Sequence, residues 1–166
     1  MADTWSQEQL VEATEDGSID TVILAFTDHY GRLMGKRLDA EFFLEDPSGT
    51  HACDYLLTVD MEMEPLDGFA FSNWGRGYGD LHLTPDIHTL RPVPWLDRTA
   101  LVICDPTTDD GVPIAVAPRS ILRNQIKRIE ALNLRAMVAS ELEYFLYRTS
   151  YRDAAKTSYQ ELEPAG

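Results

Sequence analysis

The run Val138-Ala139-Ser140-Glu141-Leu142-Glu143-Tyr144-Phe145-Leu146-Tyr147 constrains this chain more than any other stretch of it. Its apolar and aromatic composition predicts a strand buried on at least one face. On an extended backbone successive side chains alternate, so Glu141 and Glu143 share one face while Leu142 points to the other. Two like charges on a half-buried face are costly unless something compensates them. A hard divalent cation, Mg²⁺ or Mn²⁺, is a natural compensator because it takes carboxylate oxygens. An exposed edge strand whose charged face meets water is the other reading of the same spacing.

Composition narrows the partners. The chain has 166 residues, enough for one or two domains, with 44% hydrophobic and 25% charged residues, both ordinary for a globular protein. Lys plus Arg number 14 against 28 Asp plus Glu, a net charge of −14. Such a surface repels phosphate backbones, which argues against nucleic acid. No apolar run approaches the roughly 18 residues a membrane span needs. The opening Met-Ala-Asp-Thr-Trp-Ser-Gln-Glu is polar and acidic, unlike a signal peptide. Cys53 and Cys104 lack a Cys-x-x-Cys spacing, so neither a disulfide framework nor a zinc site is indicated. The expectation is a soluble cytoplasmic protein without a membrane partner.

The element pattern is legible in order. Ser6 with Gln9 makes a capping box, Trp5 with Leu10 a hydrophobic staple, and Gly17 a stop, which predicts a leading helix. Thr21 to Thr27 reads as a strand, Asp28 to Gly31 as a turn, and Leu33 to Leu38 as a second strand. Ala40 to Glu45 reads as a short helix ended by Asp46-Pro47. Further strands are expected at Asp80 to Thr84, Leu90 to Val93, Ala100 to Cys104 and Val112 to Val116, the last after a turn at Asp109-Asp110-Gly111. Pro118 opens an amphipathic helix with Ile121, Leu122, Ile126, Ile129 and Leu132 on one face. Asn133 suits its stop, and a last helix is expected between Ser150 and Pro164. Strands dominate up to about Pro113 and a helix–strand–helix unit follows. The predicted domains are therefore 1–113 and 114–166, the second too small to cover a sheet.

Between Glu64 and Gly79, glycines 68, 75, 77 and 79 alternate with Phe69, Phe71, Trp74 and Tyr78. Rings need something to pack against, so the segment reads as an ordered loop. His29, His51, His82 and His88 have no metal-site spacing and read as surface or satisfied polar residues. The segment Gly31-Arg32-Leu33-Met34-Gly35-Lys36-Arg37 is basic in an acidic chain but lacks a phosphate-loop pattern, which favours an exposed hairpin.

Several of these pieces, taken together, resemble the glutamine synthetase family. The succession Pro118-Arg119, basic amphipathic helix, and Glu141-x-Glu143-aromatic-Phe resembles the opening of that family's catalytic domain. Tyr78-Gly79-Asp80-Leu81-His82-Leu83-Thr84-Pro85-Asp86, continuing through Thr89 to Trp95, is similar to the second half of its N-terminal domain. Phe26-Thr27-Asp28 with Gly31 to Arg37 is similar to its first hairpin. The resemblance runs from about Thr21 onward. It implies an α/β fold: a β-grasp-like N-terminal domain with a leading helix, then the truncated start of a glutamine synthetase catalytic domain.

The resemblance also implies a reaction and its participants. These are ATP-dependent amide ligation, with glutamate phosphorylated on its γ-carboxylate and then attacked by an amine or ammonia. Glu141 and Glu143 match metal ligands for Mg²⁺ or Mn²⁺, Glu141 nearer the nucleotide phosphates and Glu143 nearer the amino acid. Asp67 matches, loosely, the residue on the ammonium side of the site. Phe69 and Ala70 stand where smaller residues follow that Asp, which suits a larger amine, and the aromatic loop could equally be packed for structure alone. Gly75-Arg76-Gly77-Tyr78-Gly79-Asp80 leans toward γ-glutamylpolyamine synthetase-like members. The full-length form implied is a homo-oligomeric ring in which this loop reaches a neighbouring subunit's site.

Family members continue well past the matched portion. The remaining metal-binding Glu and His residues, the nucleotide-binding portion and the substrate-binding arginines have no counterpart in the sequence. The expectation is an N-terminal fragment inactive alone. One alternative is a non-catalytic β-grasp interaction or regulatory piece docking into full-length ligase subunits. Another is an unrelated β-grasp binding module whose carboxylate pair is solvated.

Overall fold

The computed structural model describes residues 4–47 and 50–166, so Met1 to Asp3 of the polar N-terminus lie outside it. In chain order the elements are α1 (Gln7–Glu15), β1 (Thr21–Thr27), β2 (Leu33–Asp39), α2 (Ala40–Glu45) and β3 (His51–Cys53). A 3₁₀ turn at Asp54–Leu57 follows, then β4 (Asp80–Pro92), β5 (Thr99–Thr107), α3 (Pro118–Glu130) and α4 (Tyr151–Lys156). The described residues separate into two compact units, Met1–Leu134 and Arg135–Gly166.

In the first unit the capping box forms as its residues dictate. Ser6 N donates to Gln9 Oε1 at 2.8 Å and Gln9 N to Ser6 Oγ at 3.3 Å. Trp5 N donates to Leu90 O at 2.7 Å, pinning the helix start to β4, and Leu10 is fully buried. Gly17 takes a left-handed φ of 76°, which a Cβ would resist.

The five strands form one mixed sheet in the order β2-β1-β5-β4-β3. β1 runs parallel to β5 and every other neighbour pair is antiparallel. One face carries Val22, Leu24, Phe26, Leu83, Leu90, Val102 and Cys104 into a core shared with Leu10, Ala40, Phe43 and Leu57. Burying each large apolar side chain stabilises the fold by about 2 kcal/mol. At Gly35 a Cβ would stand 1.8 Å from the Leu24 carbonyl oxygen, so β2 can approach β1 only because this residue has none.

Three local expectations differ from the structure. Asp80 to Pro92 is one strand rather than two, with a register shift between Asp86 and Arg91. Thr89 spans the irregularity: its hydroxyl donates to Asp86 O at 2.7 Å and accepts from Ile103 N at 2.8 Å, replacing a ladder bond. Val112 to Val116 is not a strand and keeps only an isolated bridge from Thr107 to Pro113. The apolar face of α3 is not buried in this unit, since Ile121, Leu122, Ile126 and Leu132 are exposed. Buried Ala117 and Ser120 seat the start of α3, and ion pairs join its first turns to the sheet. Arg119 and Arg123, one turn apart, pair with Asp86 of β4 and Asp105 of β5. Asn133 ends the segment with a left-handed φ of 58°.

In the second unit the predicted strand from Val138 to Tyr147 does not form a ladder. Val138 is 93% exposed and Phe145 86% exposed. A strand is stable only when neighbours take up its backbone groups, and among the described residues the pairing is confined to its end. Tyr147 bridges Pro164, Arg148 N donates to Glu163 O, and Ala165 N donates to Leu146 O. Ser150 caps α4 by accepting from Asp153 N, and the helix stops at Lys156, well short of Pro164.

Candidate functional site

The loop between the 3₁₀ turn and β4 is the most elaborately built non-repetitive segment of the first unit, and its order begins at the β1–β2 turn. Asp28, only 2% exposed, accepts from Tyr30 N and Arg32 N at 2.9 Å each and from Arg32 Nε at 2.6 Å. Burial pushes its carboxyl pKa upward, but the Arg32 and Tyr30 hydrogen bonds and the Arg32 charge outweigh that and hold it below the usual carboxylate range. The Arg32 guanidinium then reaches across to donate to Asp60 O and Met61 O at 2.8 Å each. The hairpin turn therefore fixes residues 58–66. Within them, Leu66 N donates to Thr58 O, and the Asp60 carboxylate accepts from Glu62 N and Glu64 N.

Asp67 follows immediately and is exposed. Among the described residues its carboxylate has no hydrogen bond or ion pair, which leaves it open to a ligand. The next residues fold back on themselves: Asn73 Nδ2 donates to Phe69 O at 2.6 Å and Arg76 to Ala70 O at 2.5 Å. Ser72 is fully buried and donates to Asp54 Oδ1 at 2.7 Å, tying the loop to the 3₁₀ turn. Tyr78 meets Trp74 and Tyr55 edge-on, at centroid distances of 5.4 and 5.8 Å. Trp74 is nonetheless 77% exposed, so its indole packs against Tyr78 on one side only.

The ordered Gly/aromatic loop is thus present, and two of its supports were hidden from the sequence. Tyr55 lies before the loop with no aromatic neighbour to flag it. The Asp28–Arg32 clamp joins residues about thirty positions from the loop it holds.

Glu141 and Glu143 are exposed, on the segment without ladder partners. Their carboxylate oxygens suit a hard cation in kind, but such a cation takes about six oxygen ligands. No group of three or more metal-ligating side chains gathers among the described residues. His51 and His82, separate in sequence, stand side by side with ring centroids 4.2 Å apart. No spacing rule could have paired them, because their proximity depends on the β3–β4 register. No helix among the described residues is long and apolar enough to cross a membrane.

No protein-family model matches the chain. It is 45% identical over 160 residues to a γ-glutamylethanolamide synthetase, GlnA4, of Streptomyces coelicolor, covering 95% of this chain and 35% of that protein. It is 34% identical over 152 residues to a glutamate–isopropylamine ligase of a Pseudomonas species, covering 90% of this chain and 33% of that one. The chain thus spans about a third of the length of each of these two relatives. Among solved structures, a crystal structure of a glutamine synthase homologue superposes with a TM-score of 0.58 at 24% identity, over 69% of this chain and 27% of that chain. That likeness concerns the fold alone.

Proposed function

Because the homologues of this chain are members of the glutamine synthetase family, we propose that it forms the amine-facing portion of an ATP-dependent glutamate–amine ligase. The observation that carries this reading is the 45% identity to a γ-glutamylethanolamide synthetase along almost the whole of this chain. Residues 1–113 serve as a β-grasp-like N-terminal domain and residues 114–166 as the beginning of the catalytic domain. The substrates are glutamate, ATP and an amine. The γ-carboxylate of glutamate is phosphorylated and the amine displaces the phosphate to leave an amide.

Each side chain has a defined task in that scheme. Asp67, open and negatively charged on an anchored loop, attracts and orients the amine in its ammonium form. Trp74 presents an uncovered ring that favours an ammonium group by cation–π attraction and covers the carbon chain of a substituted amine. Phe69, two residues after Asp67, adds an apolar ring to the loop, which favours an alkyl- or hydroxyalkylamine over ammonia. Glu141 and Glu143 contribute two of the oxygen ligands for Mg²⁺ or Mn²⁺, and the rest come from parts of the ligase beyond these residues. Such a cation, when bound, neutralises phosphate charge during transfer. The assembled form is a cytoplasmic homo-oligomeric ring.

The test is made on the full-length ligase this reading requires, by following ADP release with glutamate and a panel of amines. Turnover should depend on Mg²⁺ or Mn²⁺, and ethanolamine or a short alkylamine should give a higher kcat/KM than ammonia. Glu141→Gln and Glu143→Gln should each abolish it. Asp67→Asn should raise KM for the amine far more than KM for glutamate. Full activity in either Glu variant, or turnover indifferent to the amine, removes the reading.

A further inference from the structure

The pairing of β3 with β4 brings two histidines together, donors of a different kind from the two glutamates. β3 and β4 are antiparallel, with His51 opposite His82, Ala52 opposite Leu81 and Cys53 opposite Asp80. Leu83 N donates to Thr50 O and Asp54 N to Gly79 O, each at 2.9 Å. Those bonds mark Thr50/Leu83 and Asp54/Gly79 as the hydrogen-bonded pairs. By alternation His51/His82 and Cys53/Asp80 are non-hydrogen-bonded pairs, where facing Cα atoms come within about 4.5 Å and side chains stand closest. Ala52 and Leu81 point into the core, so His51, His82, Cys53 and Asp80 share the opposite face.

On that face the two imidazoles lie 4.2 Å apart with their planes tilted by 56°. Asp109, from the turn after β5, brings Oδ1 to 3.8 Å from His51 Nε2. Beyond that contact neither imidazole has a hydrogen bond among the described residues. Both histidines are half-buried. The ladder thus holds two imidazoles without hydrogen bonds of their own within one ring contact of each other.

We propose that His51 and His82 chelate one borderline divalent cation of the Zn²⁺, Ni²⁺ or Cu²⁺ type, with water completing its shell and Asp109 supplying compensating charge. Imidazole selects these ions, whereas Mg²⁺ and Mn²⁺ prefer carboxylate oxygen. The site is thus chemically distinct from the glutamate pair. It also has a structural consequence. β3 is a three-residue edge strand, and Asp54 N to Gly79 O closes the base of the aromatic loop directly after it. An ion bridging His51 to His82 would tie that base shut.

The experiment is isothermal titration of the full chain with Zn²⁺, Ni²⁺ and Mg²⁺ near neutral pH, repeated on His51→Asn, His82→Asn and Cys53→Ser. All three positions are partly solvent-facing, and circular dichroism without metal verifies that each variant folds. One saturable site per chain is expected for Zn²⁺ and Ni²⁺ and none for Mg²⁺. Either histidine change should weaken binding by about tenfold or more, while Cys53→Ser leaves it in place. Acidification should expel the ion, because a protonated imidazole has no lone pair to give. Absence of saturable binding overturns the proposal, as does binding that persists in both histidine variants or that needs Cys53 while dispensing with a histidine. The readout involves neither ATP nor glutamate, so it stands or falls separately from the ligase reading.

Discussion

β1 and the segment from Val138 to Tyr147 are similar in character, both rich in apolar, β-branched or aromatic residues, yet they meet opposite surroundings. β1 lies between β2 and β5 with Val22, Leu24, Ala25 and Phe26 buried. Val138, Leu142, Tyr144 and Phe145 are exposed, and among the described residues only the end of their segment pairs. The difference is the supply of neighbours. β1 has a ladder on both edges, so every apolar side chain it buries is fixed by backbone bonds at the same time. The later segment has the same local tendency, but within its own unit only its end is paired among the described residues. Periodicity states what a segment can become, and pairing decides whether it does.

The comparison can be broken most directly at the β1–β2 ladder. Gly35→Ala puts a methyl into the Leu24 carbonyl, and the expected loss exceeds about 4 kcal/mol, seen as an unfolded or nearly unfolded chain by circular dichroism. A normal melting curve would mean that β2 can leave β1 at little cost. Matched truncations come next. Phe26→Ala should cost about 4 kcal/mol in urea denaturation, whereas Phe145→Ala should stay within about 0.5 kcal/mol. Equal effects at the two positions would erase the distinction between the regions.

Smaller effects test the polar supports. Asp28→Asn should cost about 2 kcal/mol at neutral pH, because the Arg32 bond loses its charge within a buried turn. The sign of the pH dependence is fixed by the lowered carboxyl. Its stabilisation is fully present above the usual carboxylate range and fades as pH falls through the folded-state value. The gap in urea midpoint between wild type and variant should therefore close in acid and hold constant from pH 6 to 8; a constant gap at all pH values contradicts the ion pair. Smallest of all are the α3 anchors. Arg119→Ala should cost about 1 kcal/mol, and the more exposed Arg123→Ala no more than about 0.5 kcal/mol. A larger loss at Arg123 would show that α3 depends on charge more than its exposure suggests.

Much of the first unit was legible because its signals are local. The Ser6–Gln9 box, the Thr21–Thr27 run and the short Ala40–Glu45 helix before Asp46-Pro47 are each decided within a few residues. What stayed hidden depends on distant register. β3 is too short to announce itself, and its pairing with β4 is what brings His51 to His82. The continuity of β4 rests on the Thr89 hydroxyl, a side chain standing in for a ladder bond, which no propensity encodes. The apolar stripe on α3 was legible as a stripe, yet what it faces is not determined by the stripe itself. For the candidate site, the aromatic loop was readable from composition, while its anchoring by Arg32 and Ser72 was not.

The sheet's central parallel pair sets an order of events in time. Thr21 aligns with Thr99, so the first strand must wait for a partner roughly eighty residues later in the chain. The β1–β2 hairpin can form early, but the other edge of β1 stays unpaired until β5 arrives. Closing so long a loop is entropically expensive before any contact rewards it, which places this fold among the slower formers of its size. During synthesis that hairpin presents an open strand edge until the later partner is made.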